Sequence, residues 1–243
     1  NPASTETIVG WLRSSEPTRR TEALRAARGV AAGNAPLSEK VRQAAKELPP
    51  AGTRPTDEDR ALAEEIALAL TGVEGELPER VAKLKPKRPT SKPEWMAALA
   101  KGRAVDPEAG RRIFYHPNGA GCFKCHTIDG RGGKVGPDLT NAVRTMNRPQ
   151  FIESILEPSR EIAPQFVSWT FTMKDGKVFT GLIVEENEGR LVVGDAKGET
   201  ITLKTADVEE RTPQKVSVMP EKLADRMTLQ EFRDLLAFLE SQR

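Results

Sequence analysis

Both cysteines of this 243-residue chain and one of its two histidines fall in a single run, Cys122-Phe123-Lys124-Cys125-His126. Two thiols at this spacing, followed at once by an imidazole, make the C-x-x-C-H pattern through which a c-type haem is attached to a polypeptide. The thiols add across the two vinyl groups of the porphyrin, and the adjacent histidine is then set beneath the iron. Other chemistries use parts of the pattern. A dithiol redox site also needs C-x-x-C, but it usually follows a strand and opens a helix, whereas Pro117, Gly119 and Gly121 lead into this one. A structural zinc site needs four ligands, commonly as two separated pairs. Here the Cys and His candidates are His116, Cys122, Cys125 and His126, and the adjacent Cys125 and His126 are awkward to bring to one tetrahedral ion. A five-residue match can also arise by chance. One covalently attached haem c is the expected cofactor.

His126 is by position the proximal iron ligand. A ligating histidine usually donates its other ring N–H to a fixed acceptor. Gly136-Pro137-Asp138-Leu139 begins ten residues further on, and Pro137, with its fixed φ and no N–H, could hold a carbonyl rigidly there. The sixth ligand must come from elsewhere. His116 lies on the approach to the proximal side, and lysine or an open position are further alternatives. Among Met96, Met146, Met173, Met219 and Met227, Met219 is the first choice. It sits in Lys215-Val216-Ser217-Val218-Met219-Pro220, an irregular segment ahead of the last helix; Met146 is second. Any methionine has the simpler alternative role of core gap-filler. The candidate site is thus Cys122, Cys125, His126, Pro137 and Met219, with His126 and Met219 as metal ligands. His/Met ligation would give a higher potential than bis-histidine.

These residues need elements to hold them. Asp106-Pro107-Glu108 is a helix start, with cap, proline and acid in order; Gly110, Ile113 and Phe114 lie on that helix, which should end near His116-Pro117. Thr127 to Lys134 reads as a glycine-bearing loop. Asn147 and Pro149 open a helix with Phe151, Ile152, Ile155 and Leu156 on its apolar face, closed by Pro158. From about 165 to 212 the pattern becomes that of strands. Val167, Trp169 and Phe171 alternate onto one face, and Asp175-Gly176, Glu188-Gly189 and Lys197-Gly198 mark turns. A meander of about four antiparallel strands is expected, able to fold as a small curled sheet if it packs on something. Thr228-Leu229-Gln230-Glu231 reads as a capping box before a last helix with Phe232, Leu235, Leu236 and Leu239 as its stripe.

Residues 1–81 read as all-helical. Glu16-Pro17 starts one helix, Ser38 caps another through Val41, Ala44 and Leu48, and Thr56 with its following acids starts a stronger one through Leu62, Ile66 and Leu70. Pairs of this length suggest HEAT-type repeats or a small helical bundle; no clean internal period separates the two. Residues 82–104 read as a basic, proline-rich connector with a short helix carrying Trp95, Met96 and Leu99.

Composition narrows the class. Hydrophobic residues make up 37% and charged residues 30%, as in a folded soluble protein, and a formal charge of +2 argues against a strongly basic nucleic-acid binder. No apolar run is long enough to span a bilayer. The chain starts at Asn1 without a signal peptide. Because covalent haem attachment takes place outside the bacterial cytoplasm, the expectation is a mature or excised fragment of a periplasmic or otherwise exported protein.

These motifs together resemble class I cytochrome c. The resemblance rests on Gly110 and Phe114, C-x-x-C-H at 122–126, Gly-Pro-Asp-Leu at 136–139, Met219-Pro220 and the final helix. It is closer still to the haem-binding domains of large planctomycete-type proteins, which are similar in Gly136 to Thr140, Glu157-Pro158-Ser159, a Trp-bearing strand, Ser217 to Pro220 and Leu235 to Leu239. It covers residues 105–243. It implies that the first and last helices cross near Gly110 and Phe114; the chain departs from the compact cytochrome pattern in the strands inserted at about 165–212, which could cover a haem edge, form a docking surface or brace the fold. The expected fold is mainly α: a cytochrome c-like helical haem domain with an inserted β-meander, preceded by the helical N-terminal region. The expected function is electron transport by a single-haem cytochrome rather than enzymatic catalysis, as a relay domain of a larger periplasmic redox protein. Its partners would be transient redox proteins, with Lys124, Arg131 and Lys134 meeting an acidic partner or a propionate, and not nucleic acid. The alternative is a haem enzyme or sensor with an open distal site, peroxidase-like.

Overall fold

The computed structural model describes residues 2–50, 52–101 and 104–242; residues 102 and 103 of the expected connector lie outside this set. The chain divides into two compact units, Asn1–Thr90 with Arg226–Thr228, and Ser91–Asp225 with Leu229–Arg243. Among the described residues no helix is long and apolar enough to cross a membrane.

In the first unit α1 (Pro2–Leu12), α2 (Pro17–Ala27), α3 (Ala35–Ala44), α4 (Asp57–Ala69) and α5 (Glu79–Leu84) surround one apolar core. Leu24, Leu37, Val41, Leu48, Ile66 and Val81 are fully enclosed in it. Thr56 and Asp59 form a reciprocal capping box at the start of α4. Ser38 does not cap α3. Asn34 does, its side chain accepting from the Leu37 N–H, and Ser38 sits inside the helix with its hydroxyl on the Ala35 carbonyl. Pro36 explains the shift, since proline belongs in the first turn rather than before a cap.

The second unit opens with α6 (Lys92–Leu99), the short helix that the sequence places in the connector, followed by α7 (Pro107–Phe114). Later come α8 (Arg148–Leu156) and α9 (Leu229–Glu240). An eight-residue helix such as α7 is too short to persist alone; its stability comes from α9. A Cβ on Gly110 would lie 1.9 Å from the Asp234 carbonyl oxygen, so the two backbones touch at that glycine. Around the crossing Ile113, Phe114, Leu235, Leu236 and Phe238 are all buried, and Phe114 and Phe238 stand 5.7 Å apart between centroids. Each such side chain contributes about 1.5–3 kcal/mol on full burial. Asp234 also accepts from the Asp106 N–H at 2.9 Å, tying the start of α7 to α9. Helix α6 docks beside them through Trp95, edge-on to Phe232 at 5.7 Å, and Arg233 donates to the carbonyls of Ala98 and Lys101 at its end.

The expectation of a mainly α fold is overturned. Helix accounts for 46% and strand for 15%, and the fold is mixed α/β. Two short strands, β1 (Thr127–Ile128) and β2 (Arg131–Gly132), pair where a plain loop is expected. The meander has five strands rather than about four: β3 (Ser168–Met173), β4 (Val178–Asn187), β5 (Arg190–Gly194), β6 (Thr200–Lys204) and β7 (Val208–Pro213), in the order β6-β5-β4-β3-β7. The missed strand is β7. All of it beyond Val208 is exposed, so no apolar alternation marks it.

The ladder must curl strongly. Strand β4 pairs with β3 through its first half and with β5 through its second, with a bulge between Ile183 and Glu185. A flat five-stranded sheet would hold its edges roughly 19 Å apart at about 4.8 Å per strand. Edge strands β6 and β7 are nevertheless joined by Thr205–Asp207 alone, a span of at most about 14 Å. The turn is pinned at both ends: Thr205 N–H donates to the Gly189 carbonyl and Lys174 N–H to the Asp207 carbonyl. The sheet is thus a partly closed barrel around Phe171, Met173, Leu191, Val193 and Leu203.

Candidate functional site

Gly121 adopts a left-handed conformation (φ 69°) and starts a 3-10 turn, Cys122–Lys124, which carries the motif. The His126 N–H donates to the Cys122 carbonyl at 2.9 Å, so the two ends of C-x-x-C-H are locked one helical turn apart. Both thiols are free and half-buried. Burial pushes the Cys122 thiol up to about 12, and Cys125 is also raised, by burial and then by the Asp195 carboxylate. Neither is a ready thiolate at neutral pH, the opposite of a redox dithiol's electropositive setting.

The segment from 133 to 140 wraps this turn through its backbone. Gly133 N–H donates to Phe123, Gly136 N–H to Cys125 and Leu139 N–H to Thr127, at 2.7–2.8 Å. Between them the Pro137 carbonyl lies 2.9 Å from His126 Nδ1. A carbonyl can only accept, so Nδ1 carries the proton and Nε2 keeps its lone pair. Burial lowers the His126 pKa and so favours the neutral imidazole, opposed in part by the Pro137 bond. Gly136 lies against the ring: a Cβ there would meet its atoms at 2.7–3.1 Å. Thr140 accepts from the Asp129 N–H and is itself held by Asp138, which fixes the β1–β2 turn against the same segment.

The barrel reaches this turn as well. The β5–β6 hairpin tip, Asp195 to Gly198, packs on it: a Cβ on Gly198 (φ +81°) would meet the Lys124 carbonyl oxygen at 2.4 Å. At the base of the hairpin a Cβ on Gly194 would meet the Val135 side chain at 2.5 Å. Aromatic rings back the turn on its helical side, from Phe123 to Tyr115 at 6.1 Å and on to Phe114 at 4.9 Å. Arg131 stands 5.2 Å over Tyr115, while Lys124 and Lys134 are exposed.

The structure therefore brings Cys122, Cys125, His126 and Pro137 into one constellation. Met219 comes from a separate segment between β7 and α9, where it is half-buried. Its N–H donates to Ser217 Oγ at 3.1 Å, and the Ser217 N–H donates to Ser159 Oγ at 3.1 Å. Of the other methionines, Met173 fills the barrel core and Met227 is buried, whereas Met96 and Met146 are half-buried. His116 accepts from the Asn118 N–H through Nδ1. Among the described residues no three His, Cys, Asp or Glu side chains converge as a metal cage. Sequence reasoning missed Gly194, and it read Gly136 only as part of the Gly-Pro-Asp-Leu segment and Gly198 only as a turn residue, because their close approaches to His126, Val135 and Lys124 depend on chain crossings. No family model matches this chain, and no curated protein matches it in sequence.

Proposed function

We propose that this chain is a single-haem c-type cytochrome that transfers electrons, exported to the periplasm and serving as a relay domain of a larger redox protein. Cys122 and Cys125 would hold the haem by thioether bonds, and His126 and Met219 would be its axial ligands. The observation that carries this reading is the 2.9 Å contact between His126 Nδ1 and the Pro137 carbonyl. It presents Nε2 as a neutral donor and fixes the ring plane, which is what an iron-ligating histidine requires. Gly136 supports the reading, because the absent side chain leaves the ring face room to lie flat. Burial raises both thiols, which disfavours a thiolate redox nucleophile. Among the described residues no three His, Cys, Asp or Glu side chains gather as a zinc cage would require.

Haem supplies a one-electron ferric/ferrous couple when bound. The chain's part is to keep the ligands still. Backbone bonds from residues 133–139, the β5–β6 tip and the Tyr115 ring all bear on the attachment turn. A rigid, partly dry surround keeps reorganisation small. The exposed Lys124 and Lys134 would steer an acidic partner into a brief encounter.

Optical spectra test the proposal. A low-spin ferric spectrum with a weak far-red sulfur band, lost in Met219→Ala, is expected. A high-spin spectrum with rapid cyanide binding would instead favour a peroxidase-like or sensing haem with an open distal face.

A further inference from the structure

Met219 lies in a stretch, residues 214–222, in which no side chain is fully buried. Val216 is 60% exposed, and no regular element runs from the end of β7 to Leu223. A thioether is a weak ligand, so a loop that supplies one must be fixed by other means or the ligand is lost to loop entropy. Here three serines do the fixing. Ser168, buried at the start of β3, donates its hydroxyl to the Val216 carbonyl at 2.6 Å and accepts the Gln214 N–H on its own carbonyl at 2.8 Å. Ser159, just past α8 and the buried Pro158, accepts the Ser217 N–H. Ser217 in turn accepts the Met219 N–H in a tight hydroxyl turn.

We infer that Ser159 and Ser217 are positioning residues that hold the Met219 segment in its ligating conformation. This inference rests on Met219 being the sixth ligand. Ser217 is the hub: its main chain is anchored to the α8 exit, and its side chain sets the backbone of Met219 two residues on. Ser168 anchors the upstream end to the barrel. The barrel and α8 therefore act jointly on one ligand, through Ser168 and Ser159, which are 48 and 58 positions from the residues they hold. The chemistry fits serine specifically. A hydroxyl that accepts a backbone N–H while rotating its own proton elsewhere can satisfy an irregular turn that has no helix or ladder partner.

The test uses the mature haem protein and exogenous imidazole as a competitor for the sixth position. Losing one such bond makes the open form about five-fold more populated. Ser217→Ala and Ser159→Ala should each bind imidazole about five-fold more tightly than the parent, with faster hydrogen exchange at the Met219 and Ser217 amides respectively. Ser217→Thr, which keeps the hydroxyl, should restore parental imidazole affinity. Parental affinity in both alanine variants would overturn the inference, and so would tightened binding in Ser217→Thr equal to that in Ser217→Ala. Should Ser217→Ala fail to fold, Ser159→Ala and Ser217→Thr still decide. The underlying ligation is tested separately: a far-red band that survives Met219→Ala removes Met219 as the ligand, whatever the serine variants do.

Discussion

Gly198 and Lys124 are 74 positions apart in sequence, yet a Cβ on Gly198 would meet the Lys124 carbonyl oxygen at 2.4 Å. The tip of a β-hairpin thereby rests on the backbone of the proposed haem-attachment turn. The barrel packs against that turn, and the Gly194–Val135 contact adds a second point of approach.

Gly198→Ala should cost more than its backbone conformation alone explains. Gly176 has the same left-handed φ (+83°) and open space where a Cβ would go, so Gly176→Ala isolates the conformational part, about 1 kcal/mol. Gly198→Ala adds a backbone overlap, and a loss of about 2–4 kcal/mol is expected. Denaturant unfolding of both variants gives the comparison; equal losses would mean that the tip does not bear on the turn.

The helix crossing is less forgiving. A Cβ on Gly110 would overlap the Asp234 carbonyl at 1.9 Å, and neither backbone can move without breaking the Asp106–Asp234 bond and the packing of Phe114. Gly110→Ala is expected to lose about 3–5 kcal/mol in the same measurement.

At the histidine, the expected readout is a potential. A methyl at position 136 would press on the His126 ring and lengthen its bond to Pro137. With haem bound as proposed, that bond would make the imidazole a stronger donor and so favour the ferric form. Gly136→Ala should raise the reduction potential by roughly 20–60 mV, the equivalent of one ordinary hydrogen bond in a one-electron couple. Voltammetry showing no rise would separate the Pro137 carbonyl from the iron's electronics.

Glu153 gives a pH dependence. It joins Lys92 at the start of α6 to Arg160 beyond α8, and the Lys92 bond is the largest cause holding its pKa below the ordinary 4.5. A carboxylate with a lowered folded pKa adds stability above its unfolded pKa and loses it as pH falls through the folded one. Parent and Glu153→Gln should therefore differ in melting temperature near neutrality, by a small and salt-sensitive amount because the group is solvated. The gap should close progressively below pH 4.5. A gap that persists at pH 2–3, roughly two units below that value, would assign it to packing instead.

Local signals carried much of this structure. Asp106-Pro107, Asn147-Pro149 and the Asp-Gly and Glu-Gly turns act over a few residues, and the helices and hairpins stand where those residues put them. Signals that act through another part of the chain were silent. Strand β7 has Glu209, Glu210 and Arg211 facing water and exists because β3 offers it a ladder. Asn34 displaced Ser38 as a cap because of Pro36, a competition between neighbours that a single-residue reading misses. The mainly α expectation failed through weighing the strands as an insertion, when they form a core of their own around Phe171 and Leu191. At the site, the motif and the Pro137 segment are local and readable. The seats of Gly198 and Ser159 are set by long-range packing and are not.

The most direct measurement is the intact mass of this protein matured in a periplasm that attaches haem. The expected result is the mass of the chain plus one haem, unchanged by acid–acetone extraction and abolished in a Cys122→Ala, Cys125→Ala double variant. A bare-chain mass from material that had met functioning attachment machinery, or colour that washes out entirely, would contradict a covalent haem at Cys122 and Cys125.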